Sequence, residues 1–245
     1  YYGYQRQDRK DYSRAPISAC VIARCLEAQN INRIIVYDLH AGQIAGFFSN
    51  NCPLDNLYTE NYFIKYINDI ILKKHKLEDV MIVAPDEGAV KNNFRIASKL
   101  GCECVSIFKH RDATNSIGTM KLLGSVKNKV VIMVDDIIDT AGTACRASEL
   151  LKDEGALEIY FFACHGLFSN NAIEKISKSQ FNKVIITNTI PNNNIITNNN
   201  NNLIDIIDVS WLCSQAILCQ INGLSLNELY NTNYFNEKIK SLKLL

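Results

Sequence analysis

Short apolar runs that alternate with amphipathic stretches constrain the fold of this chain more than any other feature. The runs predict buried strands at residues 33–37, 80–83, 104–108, 130–134 and 159–163. Helical periodicity predicts helices at residues 14–29, 59–75, 89–99 and 142–154, the first with Ser13 as its N-cap. Continuous apolar strands separated by helices are typical of a mainly parallel sheet with helices on its faces. The sequence therefore predicts an α/β protein.

Composition and charge exclude several classes of protein. The 26 basic and 25 acidic residues give a net charge of +1, so no overall positive field favours binding to nucleic acid. Apolar runs of about five residues are far shorter than the roughly twenty that cross a bilayer. The nine cysteines are scattered and contain no C-x-x-C pair, which favours reduced thiols and a cytoplasmic location. The chain starts without methionine, and we expect it to be N-terminally truncated.

Polar side chains follow four successive predicted strands. They are Asp38 and His40, then Asp86 and Glu87, then Lys109, His110 and Arg111, and finally Asp135 and Asp136. The carboxyl ends of parallel strands meet at one edge of a sheet, where this architecture binds ligands. The sequence therefore predicts a functional site at this edge.

The segment from residue 130 to residue 143 is the most informative. Asp135 and Asp136 follow a buried strand, and a short loop then opens a helix with Asp139, Thr140, Ala141, Gly142 and Thr143. Backbone N–H groups at a helix N-terminus bind phosphate, and glycine permits a close approach. The two carboxylates suit vicinal sugar hydroxyls or a metal ion. The pattern indicates a phosphorylated pentose, although an exposed acidic turn before a capped helix is the alternative.

A basic run near the N-terminus contains Arg6, Arg9, Lys10 and Arg14, with Gln7 and Asp11 among them. Guanidinium and amide groups suit polyphosphates and nucleobase edges, although such a run is also compatible with a solvated loop. With the segment from Asp38 to Phe48 and the pentose phosphate motif, this run resembles the ribose-phosphate diphosphokinase family, or phosphoribosyl pyrophosphate synthetases. The resemblance extends to about residue 225, with the motifs in the family's order.

The resemblance implies a fold of two phosphoribosyltransferase type I-like domains, each a mainly parallel sheet flanked by helices, with the site between them. Residues 1–55 would be the C-terminal part of the first, ATP-side domain. Residues 56–225 would form the ribose 5-phosphate-binding domain, and residues 226–245 a C-terminal tail. The first domain would be incomplete, without the hairpin that reaches a neighbouring subunit's ATP site in the family.

The resemblance also implies a reaction, in which Mg²⁺-dependent transfer of diphosphate from ATP to ribose 5-phosphate gives 5-phosphoribosyl 1-diphosphate and AMP. Arg6, Gln7, Asp11 and His40 would face ATP, and His40 with Asp86 would hold the metal. Lys109 and Arg111 would be catalytic, Asp135 and Asp136 would bind the ribose diol, and Asp139, Thr140, Ala141, Gly142 and Thr143 would bind the 5-phosphate. The family also implies a homo-oligomer, commonly hexameric, with inorganic phosphate as activator.

The sequence departs from the family pattern in two places, and Glu87 together with the missing N-terminal region leaves an alternative function open. Glu87 adds an anion where the family usually has small residues, and the asparagine-rich stretch 192–202 resembles an inserted surface loop. One alternative is a non-catalytic regulatory partner of an active synthetase. The other is a phosphoribosyltransferase that consumes phosphoribosyl diphosphate, which would give the Arg6 to Arg14 cluster and His40 no role.

Overall fold

A computed structural model describes residues 1–10, 12–110, 119–191 and 202–245. The chain divides into two compact units, Tyr1–Thr59 with Val209–Phe235, and Glu60–Asp208 with Asn236–Leu245. These boundaries differ from the predicted ones, because residues 209–225 group with the first unit. The tail is likewise divided, and its last ten residues group with the second unit.

The N-terminal part of the first unit contains a pair of parallel strands and an α-helix. Helix α1 (Ser18–Glu27) precedes β1 (Ile34–Tyr37), a 3-10 helix at Gly42–Phe47, and β2 (Leu54–Leu57), which pairs in parallel with β1. The prediction of a helix from residue 14 with a Ser13 cap is wrong. Arg14 has a φ of +64°, and a residue that precedes proline, as Ala15 does, disfavours helical geometry.

The C-terminal part of the first unit contains helix α6 (Ser210–Ile221) and a 3-10 helix at Leu226–Tyr230. Side-chain hydrogen bonds link it to the strands, and one of them joins the Tyr230 hydroxyl to the Asn56 carbonyl at 3.3 Å. The Tyr37 hydroxyl donates to the Val209 carbonyl at 2.7 Å, and Gln220 Nε2 donates to Asp55 Oδ2 at 2.6 Å. These contacts explain why this segment belongs to the first unit although it follows the second in sequence.

The second unit contains a seven-stranded sheet within the described residues, in the order β5-β4-β3-β6-β7-β8-β9. The strands are β3 (Val80–Ala84), β4 (Glu103–His110), β5 (Thr119–Leu123), β6 (Val130–Ile138), β7 (Glu158–Gly166), β8 (Lys183–Thr187) and β9 (Ile204–Ile207). Within the described ranges, β4–β5 is the only antiparallel pair of this sheet. The predicted mainly parallel α/β sheet is confirmed.

Helices of the second unit connect these strands. They are α2 (Glu60–Tyr66), which continues as a π-helical turn at Ile67–Ile71, α3 (Val90–Leu100), α4 (Gly142–Asp153) and α5 (Ala172–Ser177); α7 (Thr232–Lys238) lies near the end of the chain. Helix α3 ends at Gly101, whose φ of +76° suits glycine at a left-handed cap. Across the described ranges, no helix is both long and apolar enough to span a bilayer.

The sheet opens between β3 and β6. Their pairing runs from Val80↔Val130 to Ile82↔Ile132, whereas β6 stays paired with β7 as far as Ile138↔Gly166. Beyond Ile132, β6 therefore keeps only its β7 partner. The chain leaves β3 towards β4 on one side and resumes with β6 on the other, which makes this a topological switch point of the kind that binds ligands.

Candidate active site

Three carboxylates meet at the opening between β3 and β6. Asp86 follows β3, and its Oδ1 accepts a hydrogen bond from the Ala89 N–H at 3.1 Å. Asp135 and Asp136 lie within β6, so the prediction that they follow the strand is wrong. Burial raises the pKa of Asp135 well above its usual value, and the nearby charges of Asp136 and Asp86 raise it further. The opening thus concentrates negative charge.

Asn93 braces this opening from helix α3. Its side chain is fully buried, and Nδ2 donates to the Val134 carbonyl at 2.7 Å and to the Ala89 carbonyl at 2.9 Å. Its Oδ1 accepts from the Val134 N–H at 3.1 Å. The amide therefore bonds the backbone of β6 two residues beyond the last pairing with β3. Ala89 in turn bonds Asp86, which links both acidic segments through one side chain.

The loop that follows β6 forms the N-terminus of helix α4. Ala141 is the N-cap residue with a φ of +57°, and its carbonyl accepts the Cys145 N–H at 2.9 Å. The first N–H groups of a helix have no acceptors within that helix. A Cβ built on Gly142 meets nothing within 4 Å, so the space beside this turn is open. The turn is therefore accessible to an anion.

Arg6, Gln7 and His40, which are predicted to face ATP, lie on two neighbouring loops of the first unit. The His40 N–H donates to Gln5 Oε1 at 3.0 Å, and Gln43 Nε2 donates to Asp8 Oδ2. Gln5 and Asp8 are buried, whereas Arg6, Gln7 and His40 are exposed. The two hydrogen bonds tie the loop that carries Arg6 and Gln7 to the loop that carries His40.

Several predicted residues receive no structural description. Asp11, Arg111 and residues 192–201 of the asparagine-rich stretch lie outside the described residues. Lys109 is described only through its backbone, which pairs with Met120 near the end of β4. The structure brings Asp86, Asp135 and Asp136 together in the second unit and joins the Arg6 and His40 loops in the first. A site shared by the two groups stays a prediction.

Comparisons with known proteins identify the family. Residues 103–231 match the family model described as the phosphoribosyl synthetase-associated domain. Ribose-phosphate pyrophosphokinase A from Dictyostelium discoideum is 40% identical over 230 residues, which cover 94% of this chain and 70% of that protein. This chain belongs to the ribose-phosphate pyrophosphokinase family.

A solved structure from the ribose-phosphate pyrophosphokinase family agrees with the fold described above. The crystal structure of phosphoribosylpyrophosphate synthetase from Mycobacterium smegmatis superposes with a TM-score of 0.81 at 32% identity, over 91% of this chain and 70% of that one. The predicted family, fold class and type of enzyme are thereby confirmed.

For a ribose-phosphate pyrophosphokinase, the donor atoms at the β3/β6 opening fit a magnesium ion. Mg²⁺ prefers hard oxygen ligands, such as one or two carboxylates together with substrate phosphates and water. Asp86 supplies a carboxylate oxygen, and the negative charges of the neighbouring Asp135 and Asp136 favour a cation beside it. Within the described residues, no group of three or more His, Cys, Asp or Glu side chains could hold a metal ion by itself, so substrate phosphates and water would have to complete the coordination.

Asn93 and Gln5 make hydrogen bonds that position the predicted site, and neither role was predicted from the sequence. A signal for Asn93 existed, because it lies four residues from Ala89 and Ala97 on the apolar face of the predicted helix, where a polar residue needs a buried partner. Gln5 had no such signal. Its bond to His40 joins positions 35 residues apart in a region without regular periodicity.

Proposed function

We propose that the protein transfers diphosphate from ATP to the anomeric hydroxyl of ribose 5-phosphate, giving 5-phosphoribosyl 1-diphosphate and AMP. The observation that supports this most is the continuity of β6, the following loop and α4. It places Asp135 and Asp136 at the open side of a strand, and an accessible helix N-terminus begins a few residues later. Carboxylates for a diol and N–H groups for a phosphate suit the two ends of ribose 5-phosphate.

In this proposal the second unit binds ribose 5-phosphate. The 5-phosphate is held by residues 139–143. This segment supplies the N–H groups at the start of α4 and the hydroxyls of Thr140 and Thr143. Asp135 and Asp136 accept hydrogen bonds from the 2- and 3-hydroxyl groups. Hydroxyl donors favour the ionised acids, so the bound sugar offsets part of the repulsion that raises the pKa of Asp135.

The first unit, in the same proposal, binds ATP through Arg6, Gln7, Asp11 and His40. His40 and Asp86 would hold magnesium, which when bound supplies positive charge to the ATP phosphates. The anomeric oxygen forms a bond to the β-phosphorus, and the bond between that phosphorus and the α,β-bridging oxygen breaks, so that AMP leaves. Lys109 and Arg111 would stabilise the charge that moves onto the leaving oxygen.

Further properties are proposed from the family, and one of them, the location, also from the composition. They are a homo-oligomeric assembly, commonly hexameric, activation by inorganic phosphate, and a cytoplasmic location. All nine cysteines lie in described residues and are free, which supports a reducing compartment.

AMP release from ATP tests the proposed reaction. Purified protein with ATP, ribose 5-phosphate and Mg²⁺ should form AMP and 5-phosphoribosyl 1-diphosphate in equal amounts, and omitting ribose 5-phosphate or chelating the metal should stop both. Asp136→Asn should lower the rate at least tenfold. Asp153→Asn, an exposed carboxylate at the end of α4, should leave it unchanged.

Two results would contradict the proposed reaction. Binding of ATP and ribose 5-phosphate without AMP formation would favour the regulatory partner. Consumption of phosphoribosyl diphosphate with a nucleobase, without use of ATP, would favour a phosphoribosyltransferase.

A further inference from the structure

Lys175 makes a contact with the phosphate-binding loop that the proposed reaction does not use. Its Nζ donates to the Thr140 carbonyl at 3.1 Å, across 35 residues of sequence. Lys175 lies in α5 and is otherwise exposed, so burial does not force its side chain towards the loop. The contact therefore reflects a specific interaction with the residue that precedes the N-cap of α4.

The position of this contact matters for the direction of a backbone N–H. The Thr140 carbonyl and the Ala141 N–H belong to one planar peptide and point in opposite directions. Ala141 has a φ of +57°, a left-handed conformation that is unfavourable for a residue with a side chain. A donor on the carbonyl restrains the peptide in this conformation, and it thereby restrains the N–H on the opposite side.

The charge of Lys175 also lies close to the first turn of α4. Burial raises the pKa of Cys145 in that turn, Glu149 raises it further, and the positive charge of Lys175 lowers it. A helix N-terminus carries partial positive charge, so an ammonium group beside it is unfavourable unless an anion is present. Lys178, three residues further along, pairs instead with Glu174, whose Oε1 lies 2.6 Å from the Lys178 Nζ.

We propose that Lys175 is a positioning residue of the 5-phosphate site. It restrains the Thr140–Ala141 peptide and adds a fixed positive charge, and the protein therefore prefers 5-phosphorylated ribose to ribose itself. This inference rests on the proposed function, because it assigns the anion at α4 to the 5-phosphate.

Three substitutions separate the hydrogen bond from the charge. Lys175→Met removes both, Lys175→Gln keeps a donor without the charge, and Lys175→Arg keeps both. The matched control is Lys178→Met, which makes the same change three residues later, just beyond the end of α5. Calorimetry should give a dissociation constant for ribose 5-phosphate at least tenfold higher in Lys175→Met, about threefold higher in Lys175→Gln, and unchanged in Lys175→Arg and Lys178→Met.

Kinetics and thermal unfolding exclude a merely structural role. In Lys175→Met, KM for ribose 5-phosphate should rise at least tenfold, while KM for ATP and the melting temperature stay close to wild type. An unchanged dissociation constant for ribose 5-phosphate would overturn the inference, as would equal rises in both KM values. If Lys175→Met does not fold, Lys175→Gln decides the matter by the same comparison.

The same measurements separate this inference from the proposed function. Wild-type protein that binds ribose 5-phosphate but forms no AMP would contradict the proposed reaction, and the calorimetric comparison would still test Lys175. Wild-type protein that does not bind ribose 5-phosphate would overturn both.

Discussion

Individual carboxylates at the β3/β6 opening have a cost in stability. Asp135 lies within a strand beside Asp136, and the charge of Asp86 reaches it from the next strand. Placing like charges together in a partly buried site opposes folding and favours a ligand that brings positive charge or hydroxyl donors. Stability is thus lower where binding is required, as is common at functional sites.

Asp135→Asn should stabilise the protein at neutral pH. The folded state raises the pKa of Asp135, so between the unfolded and folded pKa values the folded state holds a proton that the unfolded chain has lost. The contribution of Asp135 to stability therefore falls as pH rises through this window, by about 1.4 kcal/mol for every tenfold drop in proton concentration. Asparagine does not ionise and avoids this loss.

Thermal unfolding in chelator between pH 4 and pH 8 measures the effect of Asp135→Asn. The melting temperature of the variant should exceed that of wild type at pH 7, and this difference should shrink towards pH 4. The variant should also bind ribose 5-phosphate more weakly than wild type. A melting temperature at pH 7 equal to or below that of wild type would contradict the assigned charge repulsion.

Gly142→Ala should weaken ribose 5-phosphate binding without destabilising α4. The added methyl group meets no protein atom within 4 Å and alanine favours helix, so the free energy of unfolding should be unchanged or slightly higher. It would occupy space that the 5-phosphate needs, and we expect binding about tenfold weaker, or about 1.4 kcal/mol. Gly46→Ala is the matched control, since its added methyl group also enters open space. Unchanged binding in Gly142→Ala would place the phosphate elsewhere.

Lys109→Ala should lower turnover far more than it weakens ribose 5-phosphate binding. In the proposed reaction its charge acts mainly as negative charge shifts onto the leaving group, and such an interaction is expressed in kcat rather than in binding. Steady-state kinetics with each substrate varied would measure both effects. Turnover equal to wild type would remove Lys109 from the catalytic group.

At the scale of elements, the splaying of β3 from β6 depends on Asn93. Asn93→Val would leave the buried N–H and carbonyl of Val134 without their side-chain partner, which should lower the free energy of unfolding by about 2 kcal/mol. Asn92→Val, at the exposed neighbouring position, should change it by less than about 0.5 kcal/mol. Urea unfolding of both variants tests this. Equal stabilities would show that water replaces the amide.

Elements with continuous apolar runs were predictable from sequence, and the others were not. Strand β6 extends to Ile138 because its backbone stays paired with β7. The two adjacent acids, Asp135 and Asp136, give no sequence signal that the strand continues through them. Strand β2 (Leu-Asp-Asn-Leu) lacks an apolar run, and its pairing with β1 alone makes it a strand.

The short loop between β6 and α4 was predictable because its residues are adjacent in sequence. The hydrogen bonds from Asn93 to β6 and from Lys175 to Thr140 were not predictable, because they join residues that are 41 and 35 positions apart.

At the scale of the whole molecule, the first unit is assembled from two distant parts of the chain. Tyr37→Phe removes the hydroxyl that bonds the Val209 carbonyl, so residues 34–37 and 209–221 should both exchange backbone hydrogens faster. Hydrogen-exchange mass spectrometry measures this. Tyr160→Phe, which removes a hydroxyl bond to Glu158 within the second unit, should leave both segments unchanged. Faster exchange at residues 34–37 alone would contradict the cooperative unit.

The one-sided support of β6 has a consequence for inhibitor design. Backbone pairing with β7 holds the main chain of Asp135 and Asp136 in place. A compound bound at the β3/β6 opening would therefore meet two acids whose backbone does not shift to accommodate it. Selectivity among related enzymes would then depend on side chains around the opening rather than on the strand. Glu87, exposed beside Asp86, offers a carboxylate that a cationic substituent could address.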